Sequence, residues 1–403
     1  MESPGWLLPP RPLAYPRIAA ILLAALLGAI TGPEPAAAEP FLPSRDEFVV
    51  ERLRDRPLDT ADQELRHARA QLRTSPRDLS LAVRVARLCI EKGRRDGDPR
   101  YLGYAEAALI PWWSAPDAPV PVLLMKATIL QSTHAFEPAL AALGQVLKTE
   151  PGNAQAWLTQ ATILQVQGRY AEAAKNCEKL RRPGTTLYAD ACLAELAGLT
   201  GRGAEARAIL ERLSKAPDAA NSGAPGGWLA IIRAELAERM GDFESAERLY
   251  RASLAAGDDA YRKGAFADFL LDRGRSREVI TLLREDQRAD PLLLRLALAY
   301  RAERHSELAA TVAALRARFD AARLRGDTVH RREEARFELH LLDRPDEALK
   351  LALANWAEQK EPADARILLE SARATGSEGD AALVRAFIRK HGLDDARLAL
   401  LLK

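Results

Sequence analysis

The sequence of 403 residues predicts an all-α fold of stacked helix pairs. Ala, Leu, Arg and Glu dominate the composition, and these residues favour helices. Runs of β-branched residues, which favour strands, are scarce. A pattern of apolar and small residues also recurs with a spacing near 34 residues, which is typical of helical repeat proteins.

The repeat is clearest between residues 123 and 183. Six residues each lie 34 positions before a counterpart: Leu123, Ala127, Leu130, Phe136, Ala139 and Leu143 precede Trp157, Ala161, Leu164, Tyr170, Ala173 and Cys177. Each unit therefore predicts a helix, a short turn and a second helix, closed by Pro151 or Pro183. Small residues let the two helices approach closely, and such a short hairpin buries its apolar face by stacking on the next hairpin.

The pattern continues on both sides with weaker matches. The small position of the second helix recurs at Ala206, Ala246, Val279, near Ala309, at Ala348 and near Ala382. Residues 221–227 are rich in Gly and predict an inserted loop. Upstream, we predict a leading helix at 59–73 and a further helix pair at 79–93 and 101–113.

The segment 156–180, AWLTQATILQVQGRYAEAAKNCEKL, resembles the tetratricopeptide repeat. The matching positions are Trp157 at the opening, Ala161 and Ala173 at the two small positions, and Gly168, Arg169 and Tyr170 at the turn. Cys177 stands where the family usually has an aromatic residue, and Gln160 where it prefers Leu. The resemblance implies a right-handed α-α superhelix over 79–403, irregular towards its C-terminal end, where a related class of helical repeat is the alternative.

The N-terminus predicts an export signal. Arg11 and Arg17 precede an apolar run at 18–30, which is shorter than the ~20 residues that span a bilayer. Ala36 and Ala38 provide a small-x-small cleavage pattern, so we predict a signal peptide at 1–38 and an N-terminal segment at 39–78. The predicted location is the bacterial periplasm. The alternative is an uncleaved run 18–30 that anchors the chain to the inner membrane.

The three cysteines lack the spacing of a metal site or a redox motif. We interpret Cys89, Cys177 and Cys192 as small buried core residues. A disulfide between Cys177 and Cys192 is the alternative, because Cys177 falls on a second helix and Cys192 on the following first helix.

No catalytic motif, cofactor motif or metal-ligand pattern stands out. One predicted helix, 328–342, carries His330, Glu334, Glu338 and His340, which we interpret as a solvated charged face. The formal net charge is only +2, which argues against a field that would attract nucleic acid. We therefore predict no cofactor, no metal, no nucleic acid, and no membrane contact once the signal is removed.

The resemblance implies that the first helices line a concave groove. Carried over by position, it predicts a set of partner-binding residues: Tyr188, Glu195, Trp228, Glu235, Glu238, Tyr261 and Asp268. Aromatic rings beside acids favour a partner that carries Lys or Arg. Alternatively, Trp228 and Tyr261 pack between neighbouring repeats.

The function that these features predict is a non-catalytic scaffold in the periplasm that binds a peptide segment or partner domain in the groove. One alternative is an accessory subunit of a cell-envelope assembly or transport system. Such a subunit would use its convex surface or the region around Trp112 and Trp113. A more remote alternative is an enzyme with its site in the C-terminal part.

Overall fold

The computed structural model describes residues 59–216, 223–324 and 329–402, together with Arg45 and Gly326. Over these residues the chain forms nineteen helices and no strand. The predicted signal peptide and most of the segment 39–58 lie outside the described residues. Among the described helices, none is long and apolar enough to cross a bilayer.

The helices follow one another through short connections. In chain order they are α1 (Thr60–Thr74), α2 (Leu79–Asp96), α3 (Arg100–Trp113), α4 (Val120–Ser132), α5 (Phe136–Thr149), α6 (Ala154–Val166), α7 (Tyr170–Lys179), α8 (Thr186–Leu199), α9 (Gly203–Ser214), α10 (Gly223–Arg239), α11 (Phe243–Ala256), α12 (Ala260–Asp272), α13 (Ser276–Leu283), α14 (Asp290–Glu303), α15 (Leu308–Leu324), α16 (Arg331–His340), α17 (Pro345–Glu358), α18 (Pro362–Thr375) and α19 (Glu378–His391).

From α2 onwards, consecutive helices pack in pairs, and each pair stacks on the next. The first helices of successive pairs, the even-numbered helices from α2 to α18, contact one another in order. The leading helix α1 packs on α2. This arrangement confirms the predicted all-α, tetratricopeptide-like solenoid.

The predicted repeat register is confirmed between α4 and α7. Ala127 and Ala161 of the first helices, and Ala139 and Ala173 of the second helices, are at most 1% exposed. The turns match as well: His134 (φ 59°) takes the left-handed backbone position that Gly168 (φ 73°) takes one repeat later. Small residues at the helix crossings therefore fix the closest approach in both hairpins.

Two details differ from the sequence prediction, and a third agrees with it. Helix α10 begins at Gly223, inside the predicted loop. Pro225 does not prevent this, because a residue in the first turn donates no hydrogen bond within the helix. Ala309 is exposed, and the larger Leu315 and Phe319 fill the inner side of α15 instead. The small position predicted near Ala382 is present, because the neighbouring Ala381 is buried there while Ala382 itself is exposed.

The interpretation of the three cysteines as buried core residues is confirmed, and two of them also form the disulfide that was the alternative. Cys177 on α7 and Cys192 on α8 form a disulfide, with Cα atoms 5.8 Å apart. The two residues face each other across neighbouring hairpins at a separation that suits a disulfide. Cys89 remains a free, buried thiol on α2, and burial raises its pKa to about 11.

The C-terminal part of the chain returns to the edge of the middle hairpins. The Lys360 amide donates to the Val166 carbonyl at 2.7 Å, and the Ala396 amide donates to the Arg239 carbonyl at 2.9 Å. Gly201 has φ 74°, and a Cβ there would lie 2.5 Å from the Gly392 carbonyl oxygen. Only Gly fits such an approach, so the contact requires glycine at position 201.

Candidate partner-binding site on the inner face

Three neighbouring first helices carry the seven predicted groove residues. Helix α8 carries Tyr188 and Glu195, α10 carries Trp228, Glu235 and Glu238, and α12 carries Tyr261 and Asp268. Because α8, α10 and α12 lie side by side, they share one surface, which we call the inner face.

Of the three aromatic residues predicted for the groove, two have rings in contact with each other. The rings of Tyr188 and Trp228 have centroids 5.9 Å apart and are tilted by 33°. Both are half-buried, and Trp228 packs against the buried cluster around Leu210. The Tyr261 ring is 63% exposed and makes no ring–ring contact within the described residues. Trp228 thus has a packing role as well as an exposed edge, and Tyr261 stands apart.

The carboxylates of Glu235 and Glu195 accept hydrogen bonds from neutral side chains. The Tyr261 hydroxyl donates to Glu235 Oε1 at 2.6 Å, and the Gln165 amide donates to Glu195 Oε1 at 2.7 Å. Burial raises the pKa of both carboxyls, and these hydrogen bonds only partly oppose it. Neither glutamate forms an ion pair with any residue that the structure describes.

A buried cation, Arg239, acts on both carboxylates. It lies one turn after Glu235 on the same face of α10, and its Nη2 would be 3.2 Å from a Cβ at Gly198. The side chain is 7% exposed, and its Nε has no hydrogen-bond partner in the described part of the chain. Its charge lowers the pKa of Glu195 and Glu235, against the larger effect of burial.

Glu238 does not face a partner, contrary to the prediction. It is 2% exposed, accepts a hydrogen bond from the Tyr250 hydroxyl at 2.6 Å, and lies 3.7 Å from Nη1 of Arg397. Burial raises the pKa of Glu238, while Arg397 favours its ionised form. The chain itself therefore supplies the cation that the sequence interpretation assigned to a partner.

The carboxylate of Asp268 is also paired with cations from the chain itself. Arg336 on α16 donates to its Oδ1 at 2.9 Å, and Arg295 on α14 donates to its Oδ2. Burial alone would raise the pKa of Asp268, but the two guanidinium groups outweigh it and hold the pKa well below its usual range. Asp268 is a structural charge rather than a free acid for a partner.

The residues missed from the sequence are the cations Arg295, Arg336 and Arg397. They lie on later elements that come back to α10 and α12, and no local periodicity marks them. Only the excess of acids at inner-face positions could have indicated that partners exist elsewhere in the chain.

The charged helix α16 is also more buried than predicted. Glu334 and Glu338 are 7% and 1% exposed, so a solvated face is wrong for both. They pair with Arg323 at 3.0 Å and Arg344 at 3.2 Å, while His340 Nε2 lies 2.9 Å from Glu370. Across the described residues, no group of His, Cys, Asp or Glu is arranged to hold a metal ion.

The helix pairing and the repeat register define the class of this chain as a tetratricopeptide-like helical repeat protein. No protein-family model matches it, and no curated protein sequence matches it.

Solved structures with similar folds include the Cut9–Hcn1 hetero-tetramer of the APC/C, with 14% identity over 85% of this chain and 66% of that chain and a TM-score of 0.49. Yeast Tom70 has 14% identity over 83% and 61%, with a TM-score of 0.35. A tetratricopeptide repeat protein from Parabacteroides merdae has 12% identity over 78% and 99%, with a TM-score of 0.31. The chain spans less than two thirds of the first two. Similarity at this level transfers no function and no residue role.

Proposed function

We propose that this chain is an exported, non-catalytic scaffold that binds a basic segment of another protein on its inner face. The observation that carries the proposal is the exposed Tyr261 ring, whose hydroxyl is bonded to Glu235. That carboxylate has no ion-pair partner among the described residues. A Lys or Arg side chain placed there would gain a carboxylate and the face of an aromatic ring.

Ion pairs within the chain reduce the number of acids that a basic segment could bind. Arg397 neutralises Glu238, and Arg295 and Arg336 neutralise Asp268. Of the predicted acids, Glu195 and Glu235 form no ion pair with a described residue, although the charge of Arg239 acts on both. We define these two residues with Tyr261 as the inner-face site, and the half-buried pair of Tyr188 and Trp228 offers an apolar edge beside it.

Export is part of the proposal, and the disulfide supports it. Disulfides persist in oxidising compartments such as the periplasm and are rare in the reducing cytosol. Mass spectrometry of the native protein should find Glu39 as the first residue. A chain that keeps 18–30 and stays in the membrane fraction would replace the cleaved signal with an anchor.

Comparative capture tests the binding function. Wild-type protein, the variant Glu195→Gln/Glu235→Gln, and the control Glu205→Gln/Glu211→Gln would each be immobilised and exposed to a native envelope extract. The control removes two exposed carboxylates from α9, on the other helix of the α8 hairpin. We expect a protein that wild type and control capture and the inner-face variant loses. A synthetic peptide of its basic segment should show the same order of affinity.

Two results would overturn the proposal. Equal capture by all three proteins would exclude the inner-face site, and turnover of a small molecule without any protein partner would favour an enzyme. Gln keeps the shape of Glu, and neither glutamate at the site forms an ion pair with the described residues, so the variant should fold normally.

A further inference from the structure

A second exposed surface lies at the N-terminal end of the solenoid, on α3. Gly103, Tyr104, Ala107, Ile110 and Pro111 are all exposed and recur every three or four residues, so they share one face of the helix. Tyr104 is 45% exposed and Ile110 is 64% exposed. Large apolar side chains grouped in this way indicate an interaction surface.

Cations border this apolar face. Arg66, Arg69 and Arg73 are exposed on one side of α1, and none of them forms an ion pair with a described residue. The Arg69 guanidinium lies 4.7 Å from the centre of the Tyr104 ring, so the arginine row and the apolar face adjoin. We call Arg66, Arg69, Arg73, Tyr104 and Ile110 the N-terminal surface.

The whole-chain net charge of +2 conceals this local excess. Residues 59–95 contain nine Lys and Arg against five Asp and Glu, whereas residues 96–113, which include α3, contain one Arg against three acids, so the excess lies on α1 and α2. Arg77, after α1, and Arg87, on α2, are also exposed and unpaired within the described chain. Elsewhere, exposed arginines either sit against acids, as Arg169 does with Glu172 at 2.8 Å, or are unpaired on separate helices, as Arg212 and Arg373 are. The unpaired cations at this end therefore form a patch that favours an anionic partner.

We propose that the N-terminal surface binds an anionic lipid bilayer. Arg66, Arg69 and Arg73 would contact headgroup phosphates, and Tyr104 and Ile110 would enter the boundary between headgroups and acyl chains. Cations beside protruding Tyr and aliphatic side chains are the pattern of an interfacial helix. Nucleic acid would satisfy the arginines but leave Ile110 in water, so the apolar face favours lipid.

This inference is independent of the inner-face site, because the two surfaces share no residue. It also changes the expectation from composition, which excluded membrane contact after removal of a signal. Peripheral binding of this kind needs no membrane-spanning helix.

The inference is tested by measuring vesicle binding of the full protein purified from cells. One set of vesicles would contain phosphatidylcholine alone, and the other equal parts of phosphatidylcholine and phosphatidylglycerol. The test variant is Arg66→Glu/Arg69→Glu/Arg73→Glu. The matched control is Arg212→Glu/Arg373→Glu/Arg389→Glu, which changes the net charge equally at exposed arginines that have no ion pair among the described residues.

Wild type and control should bind the phosphatidylglycerol vesicles more tightly than the test variant, by a factor on the order of 100. High salt should reduce this difference. Ile110→Ser should weaken binding about tenfold with little dependence on salt, because it removes an apolar contribution. Hydrogen exchange should show protection of 103–111 when the anionic vesicles are added.

If the apolar run 18–30 is retained, it would bind both kinds of vesicle equally in every variant. Protection of α3 from hydrogen exchange would then still show whether the N-terminal surface contacts the vesicles. The inference is overturned if 103–111 gain no protection, or if the test variant and the control bind alike. It is also overturned if a DNA duplex, rather than the vesicles, shows the dependence on the three arginines.

Discussion

The guanidinium of Arg397 lies 3.7 Å from the carboxylate of Glu238, which belongs to a helix in the middle of the chain. Asp395 binds the same guanidinium at 2.6 Å, and the Ala396 amide bonds to Arg239 next to Glu238. The segment 392–398 is thus fastened to α10 by charge and by backbone, and part of the inner face is closed by the chain itself.

Replacing Arg397 by Ala should release this segment. Glu238 and Asp395 are 2% and 4% exposed, and both would be left buried without their cation. We expect the free energy of unfolding to fall by about 3 kcal/mol and the Ala396 amide to lose protection from hydrogen exchange. Arg389→Ala, at an exposed position, should change stability by less than ~0.5 kcal/mol. Equal effects of the two substitutions would exclude a fastening role for Arg397.

The local sequence pattern predicted the helical hairpins but not the covering of the inner face by the C-terminal segment. The spacing of Ala127, Ala139, Ala161 and Ala173 reports helix crossings within a hairpin, and such contacts are encoded within a few tens of residues. The inner face followed from the same register. Whether that face is open depends on later elements, and the pairing of Arg336 with Asp268 leaves no trace in local periodicity. The weak C-terminal repeats misled for a related reason, because Leu315 and Phe319 fill space that a small residue leaves in the regular units.

Enlarging a helix crossing should destabilise the solenoid. Ala139 and Ala173 are 0% exposed, so Trp at either position has no space without moving a helix. We expect Ala139→Trp and Ala173→Trp each to lower the unfolding free energy by roughly 1–3 kcal/mol or more in urea titrations. Ala171→Trp is the control, because Ala171 is exposed on the same helix as Ala173. Neutral behaviour at both buried sites would mean that the helix register is wrong.

Reduction should weaken the connection between α7 and α8. The disulfide joins residues 15 positions apart, and closing a loop of that length stabilises a fold by about 3 kcal/mol in the chain-entropy model. Dithiothreitol should therefore lower the melting temperature of the wild type, and it should not affect Cys177→Ala/Cys192→Ala. Non-reducing peptide mapping should find the linked peptides. Free thiols at both positions in the native protein would contradict the bond and remove one support for export.

The carboxyl of Glu370 should make the free energy of unfolding depend on pH in the acid range. Burial alone would raise the pKa of its carboxyl, but a hydrogen bond from His340 and the charge of Arg366 lower it from 4.5 to about 2. A carboxyl with a depressed pKa in the folded state stabilises the fold above its ordinary pKa and loses that contribution as pH falls. The difference in unfolding free energy between wild type and Glu370→Gln should therefore shrink as pH falls from 4.5 towards 2. Glu205→Gln is the control at an exposed carboxylate, and its difference in unfolding free energy from wild type should stay nearly constant with pH. The same flat profile for Glu370→Gln would contradict a lowered pKa of Glu370.

The inner-face site gives the last prediction, and Tyr261 is its sharpest probe. Tyr261→Ala removes a ring that is 63% exposed and the hydroxyl that bonds to Glu235. We expect affinity for a basic partner segment to fall by more than ~1 kcal/mol, with little change in unfolding free energy. Trp228→Ala should weaken binding by a similar amount, but it should also destabilise the fold, because Trp228 packs against the core.

Tyr261→Phe separates the two contributions of the side chain. It keeps the ring face for a cation–π contact and removes only the bond to Glu235, so binding should fall less than in Tyr261→Ala. Glu235→Lys should slow association, and the effect should diminish as salt is raised, because salt screens the attraction between separated charges. Acid should weaken binding as well, since burial raises the pKa of Glu195 and Glu235 and protonation removes the charges that attract the partner. Calorimetry and stopped-flow measurements with the captured segment would check both effects, and unchanged affinity in Tyr261→Ala and Glu235→Lys would move the partner to another surface of the solenoid.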